Sequence, residues 1–336
     1  MIDCHAHFIP PALLRRLKAG DERLIGFTDA EDGYRFQFPR LSASPAAPAS
    51  ISSLKASEAW RAAHGIATQV MAPWTDLFGY TLPAEHADRW TRRMNESLAE
   101  ACIGRSNYLA LGSISLQHPR RAVRQVRDLR QMGFVGVMIG TSAPDHLLDD
   151  RQLDPVWDSL AEDNLAVFVH PIFLASDPLL VGLGLRNAVG RSNATTAALA
   201  RILRGGVLER HPTLKVIAAH GGGAIPFLLP RLQRSFVLER DGCDPTAAFQ
   251  LLSFDSIVLS SVVMKALLLV ASPSQVLLGS DWPFPWTEEP EAVLDDAVLG
   301  AGAAYAIRHG NAERLFHSTR TPPGVGMDVV SGANPP

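Results

Sequence analysis

Residues 166–171 read AVFVHP and residues 215–222 read KVIAAHGG. Each holds an apolar run that leads into a histidine. A strand with one wet face alternates apolar and polar residues, whereas a continuous apolar run is buried on both faces, the condition of a parallel sheet covered by helices. The same reading gives eight expected strands, at 2–7, 68–73, 108–116, 135–140, 166–171, 215–222, 256–261 and 276–283. Between them, 84–105, 119–132, 155–163, 194–209 and 290–301 carry apolar residues at helical spacing. Segments 119–132 and 155–163 begin with proline, which suits the first turn of a helix. This alternation predicts an α/β fold, a (β/α)8 TIM barrel. A doubly wound open sheet shares the alternation, so the count alone leaves both open and the site residues must decide.

The rhythm breaks once. Residues 8–66 are rich in Pro, Ala and Ser (LSASPAAPASISS at 41–53), and YRFQFP at 34–39 alternates like a small exposed strand. We expect an insertion after the first strand that holds a strand pair and a long loop, either a lid over the site or a variable decoration. The expected organisation is one barrel domain over 1–317 and a Pro/Gly-rich, disordered tail over 318–336.

The chain has 336 residues, 47% apolar and 19% charged, with a net charge of −3. That balance excludes wholesale disorder and disfavours nucleic acid or an anionic membrane as the main partner. Cys4, Cys102 and Cys243 are too few and too widely spaced for a disulfide framework or a CxxC zinc module. The opening MIDCHAHFIP is not a targeting segment, and ALLLVASPS (266–274) is too short to span a bilayer. A cytoplasmic protein is expected.

Four of the eleven histidines fall at or just beyond strand ends. His5 and His7 share one face of the first strand by its period of two. His170 ends the fifth strand, His220 the sixth, and Asp281 the eighth. In a barrel those ends converge on one mouth, where enzymes of this architecture place their chemistry. Three imidazoles and a carboxylate form a good first shell for Zn²⁺, with a position left for water; Mn²⁺ is a second candidate. A lone HxH pair is weak evidence, and a histidine at a strand end can simply bond the backbone. The joint occurrence of all five residues at strand ends is what favours a metal. His64, His86, His118, His146, His211, His309 and His317 fall in helices or loops and read as ordinary surface or structural histidines. The fourth strand, VGVMIG, carries no lysine that could be carbamylated to bridge two metals. A mononuclear site is expected.

The blocks HAHFIP, GVMIGTS, VFVHP, GGVLERHPTLKVIAAHGGGAIPFLLPRL, LLGSDWPFP and HGNAERLF resemble the amidohydrolase superfamily, in its amidohydrolase-2, 2-amino-3-carboxymuconate-6-semialdehyde decarboxylase-like branch. The resemblance runs from Met1 to about Phe316. It implies that His5, His7, His170 and Asp281 bind the zinc and that His220 is the general acid/base beside it. It also implies two arginines on the substrate's carboxylates: Arg40, seven residues after Asp32-Gly33, and Arg231, which would reach into a neighbouring subunit and make the protein at least a homodimer. Ile172 stands where that branch has Trp, and Ser260 and Ser261 replace its His and Asp. The expected activity is zinc-dependent, non-oxidative decarboxylation of an unsaturated or aromatic carboxylic acid. The alternative is a hydrolase or hydratase acting on a lactone, cyclic amide or dienoate. A non-catalytic, ligand-binding barrel is a third reading, which the full metal set disfavours.

Overall fold

Among the residues described by the computed structural model, ten strands form: β1 (Ile2–Phe8), β2 (Gly26–Ala30), β3 (Gly33–Gln37), β4 (Thr68–Pro73), β5 (Tyr108–Gly112), β6 (Gly136–Gly140), β7 (Ala166–His170), β8 (Val216–Ala218), β9 (Leu252–Asp255) and β10 (Val276–Leu277). The structure describes residues 1–174, 177–286, 289–295 and 299–316. Eight strands pair in the order β1-β4-β5-β6-β7-β8-β9-β10, all parallel. The seam between β10 and β1 is closed by a bridge from Ala6 to Trp282 and by backbone bonds from Cys4 N to Leu278 O (2.8 Å), Asp281 N to His5 O (2.8 Å) and His7 N to Trp282 O (2.7 Å). This is the TIM barrel read from the apolar runs. No helix among the described residues is long and apolar enough to cross a membrane.

Strand ends depart from the sequence reading for identifiable reasons. The seventh barrel strand, expected at 256–261, lies at Leu252–Asp255. The Asp255 carboxylate accepts the backbone N–H of Ile257 at 3.1 Å, turning the chain as it leaves the sheet. The expected 108–116 strand stops at Gly112 because side-chain amides take over its donors. Asn95 accepts from Ser113 N at 2.9 Å and Gln125 from Ser115 N at 2.7 Å. The expected 215–222 strand stops at Ala218, before Gly221, Gly222 and Gly223, all at positive φ. A Cβ on Gly222 would stand 2.7 Å from the Phe254 ring, so this turn needs glycine for space as well as conformation.

The helices follow the predicted periods. Pro119–Met132 ends where Gly133 adopts φ 89°, and its buried Ala122, Val126 and Leu129 face the barrel. The helix expected at 194–209 is split at Gly205–Gly206 into Arg191–Arg204 and Val207–Arg210. Part of the 290–301 reading lies outside the described residues, as do His317 and the 318–336 tail. Within 8–66, YRFQFP contributes β3, which pairs antiparallel with β2. This segment has a core of its own, in which Leu13, Phe36 and Ile51 pack with Trp74 of the loop after β4 and Trp90 of the helix Ala84–Cys102.

Candidate metal centre

The C-terminal ends of β1, β7, β8 and β10 bring His5, His7, His170, His220 and Asp281 together. His5 and His7 are buried on one face of β1, and their ring centroids lie 5.1 and 4.9 Å from that of His170. One ligand atom from each of His5, His170, His220 and Asp281 falls within 4.8 Å of the others. His7 joins the same cluster. Its Nε2 is 3.3 Å from His5 Nε2 and 3.1 Å from Asp281 Oδ1, while His5 Nε2 is 3.5 Å from that oxygen.

Hydrogen bonds on the far side of each ring say where the protons are. His5 Nδ1 lies 2.7 Å from Asp255 Oδ2, His7 Nδ1 3.4 Å from Pro73 O, and His170 Nδ1 3.0 Å from Pro171 O. Carboxylate and carbonyl oxygens only accept here, so each Nδ1 donates and each neutral ring turns a bare Nε2 lone pair inward. His170 Nε2 and Asp281 Oδ1 are buried and make no hydrogen bond among the described residues. Lone pairs facing one another without a proton between them call for a cation. The spacing fits one: ligands ~2.0–2.1 Å from a tetrahedral zinc stand about 3.3 Å apart.

The electrostatics agree. Burial holds the His170 and His7 pKa values below the ordinary imidazole range, which favours the neutral, ligating form. Burial would raise the Asp281 carboxyl, but the imidazoles of His220, His7 and His5 outweigh it and hold it well below the usual carboxylate range. Burial lowers and Asp255 and Asp281 raise the His5 pKa, with a net rise. A metal therefore competes with a proton for His5 Nε2. Asp281 divides its two oxygens: Oδ1 faces His5 and His7, and Oδ2 lies 3.8 Å from His220 Nε2. His220 and Asp281 both hold positive φ, at 55° and 60°. Such strain in non-glycine residues costs on the order of 1–3 kcal/mol each and clusters at functional sites.

A second layer fixes these groups. Asp255 Oδ1 accepts from Gly221 N at 2.9 Å, tying the His220 turn to the carboxylate that orients His5. Asp3, fully buried, accepts from His5 N, Gln69 Nε2, Ser280 N and Ser280 Oγ, and so fastens β1 to the chain just before Asp281. Burial nevertheless leaves its pKa raised. The sequence reading missed Asp3 and Ser280. Asp3 shares the face of His5 by the same period of two, and that was the available signal.

A cavity of about 600 Å³ opens from His7, His170, His220 and Asp281. Trp74, Phe173, Phe284 and Trp286 line it, with Pro45 and Ala46 from the 8–66 segment. Its other charges are Asp76, Arg186 and Arg191, none of which the sequence reading singled out. Arg40 and Arg231, expected to grip substrate, are both exposed, and neither lines the cavity of this chain. Among the ordinary histidines, His211 bonds Asp158 and Asp154 and His146 bonds Asp150, apart from the cluster.

Fold and site together define a (β/α)8-barrel enzyme with a histidine–aspartate centre at its C-terminal mouth. The chain belongs to the amidohydrolase family, whose sequence profile matches residues 2–317. It is similar to 2-amino-3-carboxymuconate-6-semialdehyde decarboxylase of Dictyostelium discoideum, with 28% identity over 68% of this chain and 66% of that protein. The chain thus spans about two thirds of that relative's length. Among solved structures it resembles 5-carboxyvanillate decarboxylase of Sphingomonas paucimobilis, with TM-score 0.80 and 22% identity over 94% of this chain and 98% of that one. It also resembles a dihydroxybenzoic acid decarboxylase of Polaromonas sp. JS666 that holds manganese and 2-nitroresorcinol, with TM-score 0.78 and 19% identity over 95% and 97% of the two chains.

Proposed function

We propose that this chain is a metal-dependent, non-oxidative decarboxylase of an aromatic or unsaturated carboxylic acid, and that its metal is zinc. One observation carries the reading: bare imidazole nitrogens and Asp281 Oδ1 converge beside a further imidazole, His220, at one end of an aromatic-lined cavity. The decarboxylase names of its relatives support the reaction class. His5, His7, His170 and Asp281 hold the metal, and His220 stays outside that set. The donor set suits zinc, and the manganese of the Polaromonas enzyme makes Mn²⁺ the second metal to load.

When bound, the metal supplies Lewis-acid polarisation of substrate oxygens. The protein's own groups do the rest. Protonated His220 gives its proton to the carbon that bears the carboxylate. The bond from that carbon to the carboxylate then breaks, its electron pair restores the conjugated system, and CO2 leaves. The balance is one carboxylate and one proton in, one C–H bond and one CO2 out. His220 recovers its proton from solvent. Asp281 Oδ2, 3.8 Å from His220 Nε2, keeps that ring directed at the substrate. Trp74 and Phe284 present an apolar wall to the reacting carbon.

The proposed assembly is a homodimer in which Arg231 of one copy serves the other's cavity, with Arg40 as a further carboxylate contact. The proposed compartment is the cytoplasm, whose reducing conditions suit three free cysteines. The test is CO2 release by zinc- and manganese-loaded protein from a panel of hydroxybenzoates and carboxymuconate semialdehydes. We expect release from at least one member. No release from any of them, with metal bound stoichiometrically, refutes the reading and leaves hydrolysis or hydration.

A further inference from the structure

Three charged cavity residues have no part in the metal site: Asp76, Arg186 and Arg191. Asp76 lies in the turn Thr75–Leu77 that follows β4. Arg186 and Arg191 lie one helical turn apart on the segment after β7, Arg186 opening Arg186–Gly190 and Arg191 opening Arg191–Arg204. Both guanidinium groups rest on the Phe173 ring, at 4.5 and 5.4 Å from its centroid. Arg191 is aimed further by bonds to Asn187 Oδ1 and to Pro171 O. The arginines come from one wall and Asp76 from another.

These charges do not cancel among themselves. Burial raises the Asp76 pKa against the weaker through-space pull of Arg191 and Arg186, and no ion pair joins them among the described residues. Asp76 Oδ2 is buried and accepts no hydrogen bond there. An unmet buried carboxylate oxygen costs free energy that a donor on a ligand recovers. Two guanidinium groups held on a ring have already lost much of their rotamer freedom, and their planar forks match a carboxylate. Two positive charges against one negative charge leave this end of the cavity net positive.

We propose that Arg186, Arg191 and Asp76 form a second subsite, which binds a second carboxylate of the substrate on the arginines and an adjacent hydroxyl or amino group on Asp76. The substrate class is then a dicarboxylic acid with a hydrogen-bond donor. This deepens the decarboxylase reading and rests on it, since the first carboxylate is the one lost beside His220 and Asp281.

Titration calorimetry on the zinc-loaded protein separates the two claims, because binding needs no turnover. The probes are benzoate, isophthalate and 4-aminoisophthalate, whose amino group is adjacent to one carboxylate. Isophthalate should bind at least ~tenfold more tightly than benzoate, as a bidentate charged contact predicts. Arg186→Met should bring the two acids to within about twofold of each other. Arg191→Met should shift the ratio the same way. Asp76→Asn should remove the extra affinity for the amino compound while keeping the preference for two carboxylates. Arg186 makes no hydrogen bond to the fold among the described residues, so its variant tests the charge with little risk to folding. Equal wild-type affinities, no binding of either acid, or an unchanged ratio in Arg186→Met overturns the subsite. An intact preference without CO2 release from any acid tested, mono- or dicarboxylic, overturns the decarboxylase reading instead and leaves the subsite standing.

Discussion

Replacing Asp255 with asparagine tests the central claim, that bare Nε2 lone pairs build the metal site. Asp255 is fully buried, and Oδ2 takes the His5 Nδ1 proton at 2.7 Å. Oδ1 takes the N–H groups of Gly221 at 2.9 Å and Ile257 at 3.1 Å. Asparagine can keep its one oxygen on the two backbone donors. Its NH2 group then faces His5 Nδ1–H, donor against donor. The clash is relieved by moving the imidazole proton to Nε2, which removes the lone pair the metal needs. Partners of ligating histidines are worth about 10–100-fold in metal affinity, or ~1.4–2.7 kcal/mol. The fold loses one charge-assisted buried hydrogen bond, ~1.5–3 kcal/mol. Asp255→Ala is harsher, since three stranded donors at ~1–3 kcal/mol each amount to roughly 3–9 kcal/mol, a large share of a typical domain's stability. The assay is chelator competition for bound zinc, with melting followed in excess metal and in chelator. The metal-induced gain in stability should shrink by the same ~1.4–2.7 kcal/mol. Zinc affinity within about twofold of wild type would refute the lone-pair argument.

Three further outcomes follow from particular contacts. His220→Ala should keep its metal and lose on the order of 10²–10⁴-fold in CO2 release, the usual worth of a general acid; metal analysis showing loss of zinc would make His220 a ligand. Asp154 is held below the usual carboxylate range because Arg210 and His211 outweigh its partial burial. It therefore adds stability that is fully present above about pH 4 and lost as pH falls through its lower folded value. Asp154→Asn should flatten the acid side of the Tm-against-pH curve, and an unaltered slope would contradict this. Arg231→Ala should raise KM for a carboxylated substrate without changing the sedimentation of the metal-loaded protein; an unchanged KM removes Arg231 from substrate binding.

Much of the architecture was legible because continuous apolar runs have a single physical reading. The helix Pro119–Met132 was readable to the residue because proline opens it and a left-handed glycine ends it. The seventh barrel strand was displaced because IVL at 257–259 looks like strand, while Asp255 bends the chain before it. Of the site, His5, His7, His170, His220 and Asp281 were legible from their places at strand ends. Asp3, Asp76, Arg186 and Arg191 were not. Their roles depend on which loops meet across the mouth, and Arg186 and Arg191 lie just before the 194–209 stretch whose apolar spacing marks the helix.

The seam has a consequence for how this chain is made. Asp3 and Ser280 bond across 277 positions, and His5 and Asp255 across 250. On the ribosome the strand that carries His5 and His7 emerges well before the partners it bonds, which follow 250 and 277 positions later. Contacts of such sequence separation form late and fold slowly, because loop closure precedes any reward. A chain released before Ser280 would hold Asp3 buried without two of its donors and would lack Asp281 altogether. The five residues of the candidate centre therefore come together only after the chain has been made past Asp281 and the seam has closed.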